Sequence, residues 1–205
     1  MPFKKLITNN LCQLILIFLV LISFRFYFTG GLKLGFLVWN LFLAVCPNII
    51  VWGINRFKLN KAFYSLWLLF FPNSIYVLTD MIHIYAYPNR PINYWYDVIM
   101  ILSLFAIGIV AAFSSFKQVY SKFFGYKVNI FAIFGIWWIT FFGVYIGREL
   151  RFNSWDILTP HILIRDLQGM TFRIEDFLPF VIVWPICVSW WFILWLRTNR
   201  EFVLS

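Results

Sequence analysis

The sequence predicts an all-α polytopic membrane protein, six transmembrane helices in one bundle with both termini cytoplasmic. Three observations carry the prediction. Hydrophobic residues make up 62% of the 205 positions and charged residues only 12%, where a soluble domain runs near half and a quarter. Aromatic residues reach 23%, with 26 Phe and 11 Trp, more apolar surface than a soluble interior of this size can hide. Lys and Arg are distributed unevenly between the short connections of successive apolar runs. Disorder, a coiled coil and a disulfide scaffold are excluded by the same composition.

Six stretches approach the roughly 20 apolar residues that a helix needs to cross the hydrocarbon core: Leu11–Phe28, Leu34–Ile54, Ala62–Thr79, Tyr96–Phe116, Val128–Gly147 and Phe177–Leu196. None alternates as a membrane barrel strand would. The bilayer requires each segment to satisfy its own backbone, so the runs read as helices. Residues 1–205 form one membrane domain, and the longest non-spanning segment is residues 148–176.

Orientation follows from the loops. Lys4, Lys5, Arg56, Lys58, Lys61, Lys117, Lys122, Lys127, Arg197 and Arg200 fall on one side with Glu201 the single acid. The other side receives six basic residues against seven acids, and Arg25 lies inside the first span. The basic excess marks the cytoplasmic face. It explains the high pI without nucleic acid as a partner. Membrane lipids are the partners the composition implies. Lys4-Lys5 before an apolar run resembles a signal peptide, but the run ends in bulky Phe24-Arg25-Phe26-Tyr27-Phe28, so it is expected to stay as the first helix. Cys12, Cys46 and Cys187 fall in separate spans without metal spacing and read as small core residues.

In such a chain the polar exceptions carry the information. Two spans contain Pro followed by Asn, Pro47-Asn48 and Pro72-Asn73, and each Pro frees the carbonyl four residues back, Leu43 and Leu68. With Asn40 and Tyr76 these asparagines form a candidate helix-kink and polar-core set. Amides that lock two kinked helices are one reading; a broken-helix ligand site, as in a small transporter, is the other.

A second set converges on the extracytoplasmic boundary. Asp80 and His83, three apart, share a face of a continuing helix with Asn73 and Tyr76. Asp97 opens the next span, and Arg148, Glu149, Arg151, Asn153, Ser154 and Asp156 follow the fifth. His83 oriented by Asp80 or Asp97 would act as a general base, making Asp80, His83 and Asp97 the catalytic candidates. Arg148, Arg151, Asn153 and Asp156 would bind an anion such as a lipid headgroup phosphate. A metal is the competing chemistry: Asp80 and His83 with Asp97, Asp156 or His161. Capping and helix-dipole roles for Asp97, Arg148 and Arg151, and a structural Arg–Asp network, explain the same residues without a ligand. Thr159-Pro160 through Gly169 reads as a short interfacial lid helix. No G-x-S-x-G, H-E-x-x-H or P-loop pattern occurs.

The strings WNLFLAVCP (Trp39–Pro47), LFFPNSIYVLTDMIHI (Leu69–Ile84), WYDVIM (Trp95–Met100) and YIGRELRFNSWDI (Tyr145–Ile157) together resemble the bacterial membrane proteins grouped as domain of unknown function 1361. The motifs P-N-x-x-Y-x-x-T-D and G-R-x-L-R-x-N-S-W-D carry most of that resemblance, which covers over half the chain. By position the motif residues are Asn40, Pro72, Asn73, Tyr76, Thr79, Asp80, His83, Asp97, Arg148, Arg151, Asn153, Ser154 and Asp156. The resemblance implies a multi-pass protein of the bacterial cytoplasmic (inner) membrane with a shared polar cluster, and implies no activity. Three functions stay open: an enzyme acting on lipid or lipid-linked substrate, a structural or accessory membrane subunit, and a small transporter.

Overall fold

A computed structural model describes residues 2–29, 34–85, 94–125, 127–149, 159, 161, 164–165 and 178–198. Among them every regular element is helical. In chain order these are α1 (Pro2–Thr29), α2 (Phe36–Phe57), α3 (Tyr64–Tyr76), α4 (Ile82–Tyr85), α5 (Tyr94–Phe124), α6 (Ile130–Glu149) and α7 (Trp184–Thr198). A 3-10 turn, Lys61–Phe63, leads into α3; a second, Val77–Met81, joins α3 to α4; a π-helical turn, Pro179–Val183, precedes α7.

Five segments are long and apolar enough to cross a membrane: Asn10–Phe28, Phe36–Phe57, Lys61–Met81, Tyr94–Phe124 and Ile130–Glu149. The last, Val181–Arg197, is shorter. It falls in the sixth expected span, Phe177–Leu196, and its described part is not one regular α-helix: Pro185 lacks the N–H that would bond Val181, and the turn before it is π-helical. The fourth span is also longer than expected. At 31 residues α5 extends about 46 Å, against a hydrocarbon core of about 30 Å, so Lys117 and Lys122 ride on its final turns and not in a loop.

The distribution of side chains is the inverse of a soluble protein. Tyr27, Phe28, Trp39, Trp52, Phe131 and Trp190 are exposed, while Ser74, Asp80, Asp97, Thr140 and Ser189 are buried. Apolar surface on this scale, continuous around long helices, is the surface of a multi-pass membrane protein.

The chain divides into two compact units, Met1–Lys117 and Gln118–Ser205, with the boundary inside α5. In the first, Phe18 and Ile22 of α1, Leu37 and Leu41 of α2, Val77, and Met100, Leu104 and Ile107 of α5 form one buried cluster. In the second, α6 packs along α7 and the π-helical turn. Tyr120 holds the connection between α5 and α6: its hydroxyl donates to Lys127 O and accepts from Asn129 N–H, both at 2.7 Å.

Candidate functional site

The polar groups of the first unit are organised by the antiparallel pairing of α2 with α3 and its extension. Four contacts mark it. The Tyr64 hydroxyl donates to Asn55 Oδ1 at 3.4 Å, Ser74 Oγ to Ala44 O at 2.6 Å, and Asn40 Nδ2 to Asp80 Oδ2 at 2.8 Å. At the far end the Phe36 and His83 rings stand 4.9 Å apart, inclined by 58°. Each step back along α2 is matched by a step forward along α3. The 3-10 turn Val77–Met81 continues this pairing at about 2.0 Å rise per residue, so Asp80 reaches Asn40 and His83 reaches the first turn of α2. Thr79 contributes to that tightening, since its Oγ1 donates to Tyr76 O at 2.7 Å and competes for a ladder carbonyl.

Helix α5 closes on this pair. An added Cβ at Gly108 would overlap Val77 Cγ2 and lie 2.6 Å from Ser74 O, so glycine permits the close approach of α5 to α3. One turn further along the same face α5 meets α2 through Asn48, whose Nδ2 donates to Ala111 O at 2.9 Å and whose Oδ1 accepts from Ser114 Oγ at 2.5 Å.

Asp97 lies one turn inside α5 and faces α1. Arg25 Nε donates to Asp97 Oδ1 at 2.5 Å and Nη2 to Oδ2 at 3.1 Å, a two-pronged pairing. The side chains are 14% and 2% exposed. Beside it the Tyr96 hydroxyl donates to Leu21 O at 2.5 Å, one turn earlier on α1. These bonds attach the first helix to α5 beside the apolar contacts of Phe18 and Ile22.

Asp80 is treated differently. It is 4% exposed, its hydrogen bond comes from the neutral Asn40 amide, and no Lys or Arg pairs with it among the described residues. The basic group of its surroundings is the His83 imidazole, half-buried three residues on.

The other expected residues divide as follows. Asn73 donates to Phe70 O in its own helix at 3.1 Å, and Tyr76 is half-buried. Near the two prolines the Ser74 hydroxyl links α3 to α2, and Asn48 bonds to α5. Arg148 lies 3.8 Å from Glu149, both about a third exposed, a pairing of adjacent surface charges. Arg151, Asn153 and Asp156 lie outside the described residues, as does most of the expected lid; His161 is exposed. Among the described residues no three of His, Cys, Asp and Glu come together to hold a metal.

Arg25 and Ser74 are the residues that sequence reasoning passed over. Arg25 carried a signal, a charge inside an apolar span, but its partner is 72 residues away. Ser74 carried none beyond its place after Pro72-Asn73.

No curated protein and no solved structure matches the chain. A family described as "Protein of unknown function (DUF1361)" matches residues 39–193. That region takes in α2 from Trp39 onward, α3, α5, α6 and most of α7, and extends past the motifs that suggested it. The chain belongs to the DUF1361 family.

Proposed function

We propose that the protein is an enzyme embedded in the bacterial cytoplasmic membrane, acting by acid–base chemistry on a lipid or lipid-linked substrate at the outer leaflet. Asp80 and His83 are its proton-transferring pair. One observation carries this reading. Of the two buried carboxylates in the first unit, Asp97 is met by a guanidinium, whereas Asp80 is met by a neutral amide with an imidazole three residues on. A carboxylate held in apolar surroundings without a cation is unfavourable to folding, and inside a membrane segment such a group marks a working site. The 3-10 turn that carries it is the kind of irregularity found at functional positions in helices. Asp97 then leaves the catalytic set and becomes the anchor of α1. Arg148, Arg151, Asn153 and Asp156 enter as headgroup ligands on their donor and charge chemistry.

The test uses the full chain in mild detergent. Native mass spectrometry of wild type, Asp80→Asn and His83→Ala is followed by incubation with a total membrane lipid extract and lipid mass spectrometry. Wild type should retain a lipid and convert a component of the extract. Asp80→Asn should keep the lipid and lose conversion by at least a hundredfold, in the range of general acid–base contributions. An apo mass and an unchanged extract from well-folded wild type would overturn the proposal. The second reading, a structural or accessory subunit, is favoured by the Arg25–Asp97 pairing, which has no chemistry to perform; a co-purifying protein partner would then be found.

A further inference from the structure

The second unit carries two cavities that meet at one residue. A groove of about 390 Å³ runs between α6 and the start of α7, lined by Phe131, Phe134, Gly135 and Trp138 on one side and Pro185 and Ile186 on the other. A second, of about 630 Å³, is formed by the α5–α6 connection, with Phe124, Lys127, Asn129 and Phe131 in its wall. Phe131 belongs to both and is 91% exposed. From Asn129 to Trp138 the two extend over nine residues of helix, about 14 Å. That is close to one leaflet's share of a hydrocarbon core about 30 Å thick.

The groove is apolar because its polar atoms are already satisfied. Pro185 has no N–H for Val181 O, and the Trp138 indole N–H takes that carbonyl at 2.5 Å. The open floor comes from Gly135, where an added Cβ would meet nothing within 4 Å. The end at Lys127 has the opposite chemistry. The backbone of residues 127 and 129 is fixed by the Tyr120 hydroxyl, and Asn129 Oδ1 caps α6 at Ala132 N–H. The Lys127 side chain is exposed, has no acidic partner among the described residues, and stands beside the positive end of a 20-residue helix.

We propose that this is a binding site for one anionic phospholipid, its phosphate on Lys127 and one acyl chain along the groove between α6 and α7. An apolar groove one leaflet deep, ending in a cation whose backbone is fixed, matches the two halves of such a molecule. The site is built from residues of the second unit and does not depend on what Asp80 and His83 do.

The experiment is native mass spectrometry of the full chain in mild detergent with phosphatidylglycerol or phosphatidylcholine of the same acyl composition. Wild type should retain phosphatidylglycerol at least fivefold better. Lys127→Gln should lower its retention about fivefold, the contribution expected of one cation at a membrane surface, with phosphatidylcholine unchanged. Gly135→Leu fills the floor and should reduce retention of both; Phe131→Ala, on a ring outside the core, should do the same should Gly135→Leu fail to fold. Equal retention of the two lipids by wild type, or an undiminished preference in Lys127→Gln, would overturn the proposal. So would wild-type retention by the groove variants.

Discussion

Arg25 and Asp97, 72 residues apart, meet through two parallel hydrogen bonds of 2.5 and 3.1 Å. The carboxylate is almost fully buried and the guanidinium nearly so. In apolar surroundings such a pair contributes little net stability, but losing Asp97 takes from a part-buried guanidinium the carboxylate it faces. Asp97→Ala should therefore destabilise the protein by about 2–4 kcal/mol, discounted from the fully buried case for the exposed edge of Arg25. Arg25→Met with Asp97→Leu should recover most of that loss, because both charges go together. Thermal unfolding in mild detergent of the single and double variants measures it. Additive losses would mean that the pairing does not anchor α1.

Asn48 lends itself to a smaller prediction. Its amide bonds Ala111 O and its carbonyl accepts from Ser114, joining α2 to α5. Interhelical hydrogen bonds in membrane proteins average about 0.6 kcal/mol and reach about 1.7. Asn48→Leu should cost about 1–2 kcal/mol, since two bonds are lost and Ala111 O is left with one fewer donor. Ser114 Oγ also donates to Ala111 O at 3.1 Å, so Ser114→Ala in the Asn48→Leu background should add a loss, but a smaller one than Ser114→Ala causes alone. A full additional loss in the double variant would show that Ser114 acts elsewhere.

How far these features could be read in advance depends on what sets them. Five crossing helices were legible, because bilayer thickness fixes the length of an apolar run whatever its neighbours. The sixth was legible as an apolar run but not in its backbone: apolar content says nothing of continuity, and Pro185 was the available signal for the π-helical turn before it. Asp80, His83, Asn40 and Asp97 stood out as polar residues in apolar spans. Their pairing did not, because Asn40 meets Asp80 through an antiparallel register that passes through a 3-10 turn, and a helical wheel assumes a uniform rise. Arg25 was visible as a charge out of place, and only the packing of α1 on α5 could name its partner.

Gly108 supports a prediction with internal controls. A Cβ there would overlap Val77 Cγ2 and press on the Ser74 carbonyl, which is backbone and cannot move aside cheaply. Gly108→Ala should destabilise by about 1–3 kcal/mol, the usual range for overpacking. Gly53 and Gly135 are also helical and have open space at that position. Their alanine variants should be neutral or gain up to about 1 kcal/mol from helix propensity. Detergent unfolding of the three variants side by side separates packing from propensity; three equal shifts would refute the close approach of α5 to α3.

Trp138 and Pro185 should be coupled through a group that belongs to neither. The indole N–H of Trp138 donates to Val181 O, the carbonyl that Pro185 leaves without its helical donor. Trp138→Phe keeps an aromatic ring and removes the donor, so a carbonyl in apolar surroundings loses its bond at about 1–2 kcal/mol. Pro185→Ala supplies a backbone N–H four residues after Val181 and removes the need for the indole. In that background Trp138→Phe should be nearly neutral. A double-mutant cycle on thermal unfolding therefore expects a coupling of about 1 kcal/mol or more between two side chains whose shared partner is one backbone oxygen. Strict additivity would mean that the indole bond does not compensate the proline, and that the π-helical turn before α7 is held by packing alone.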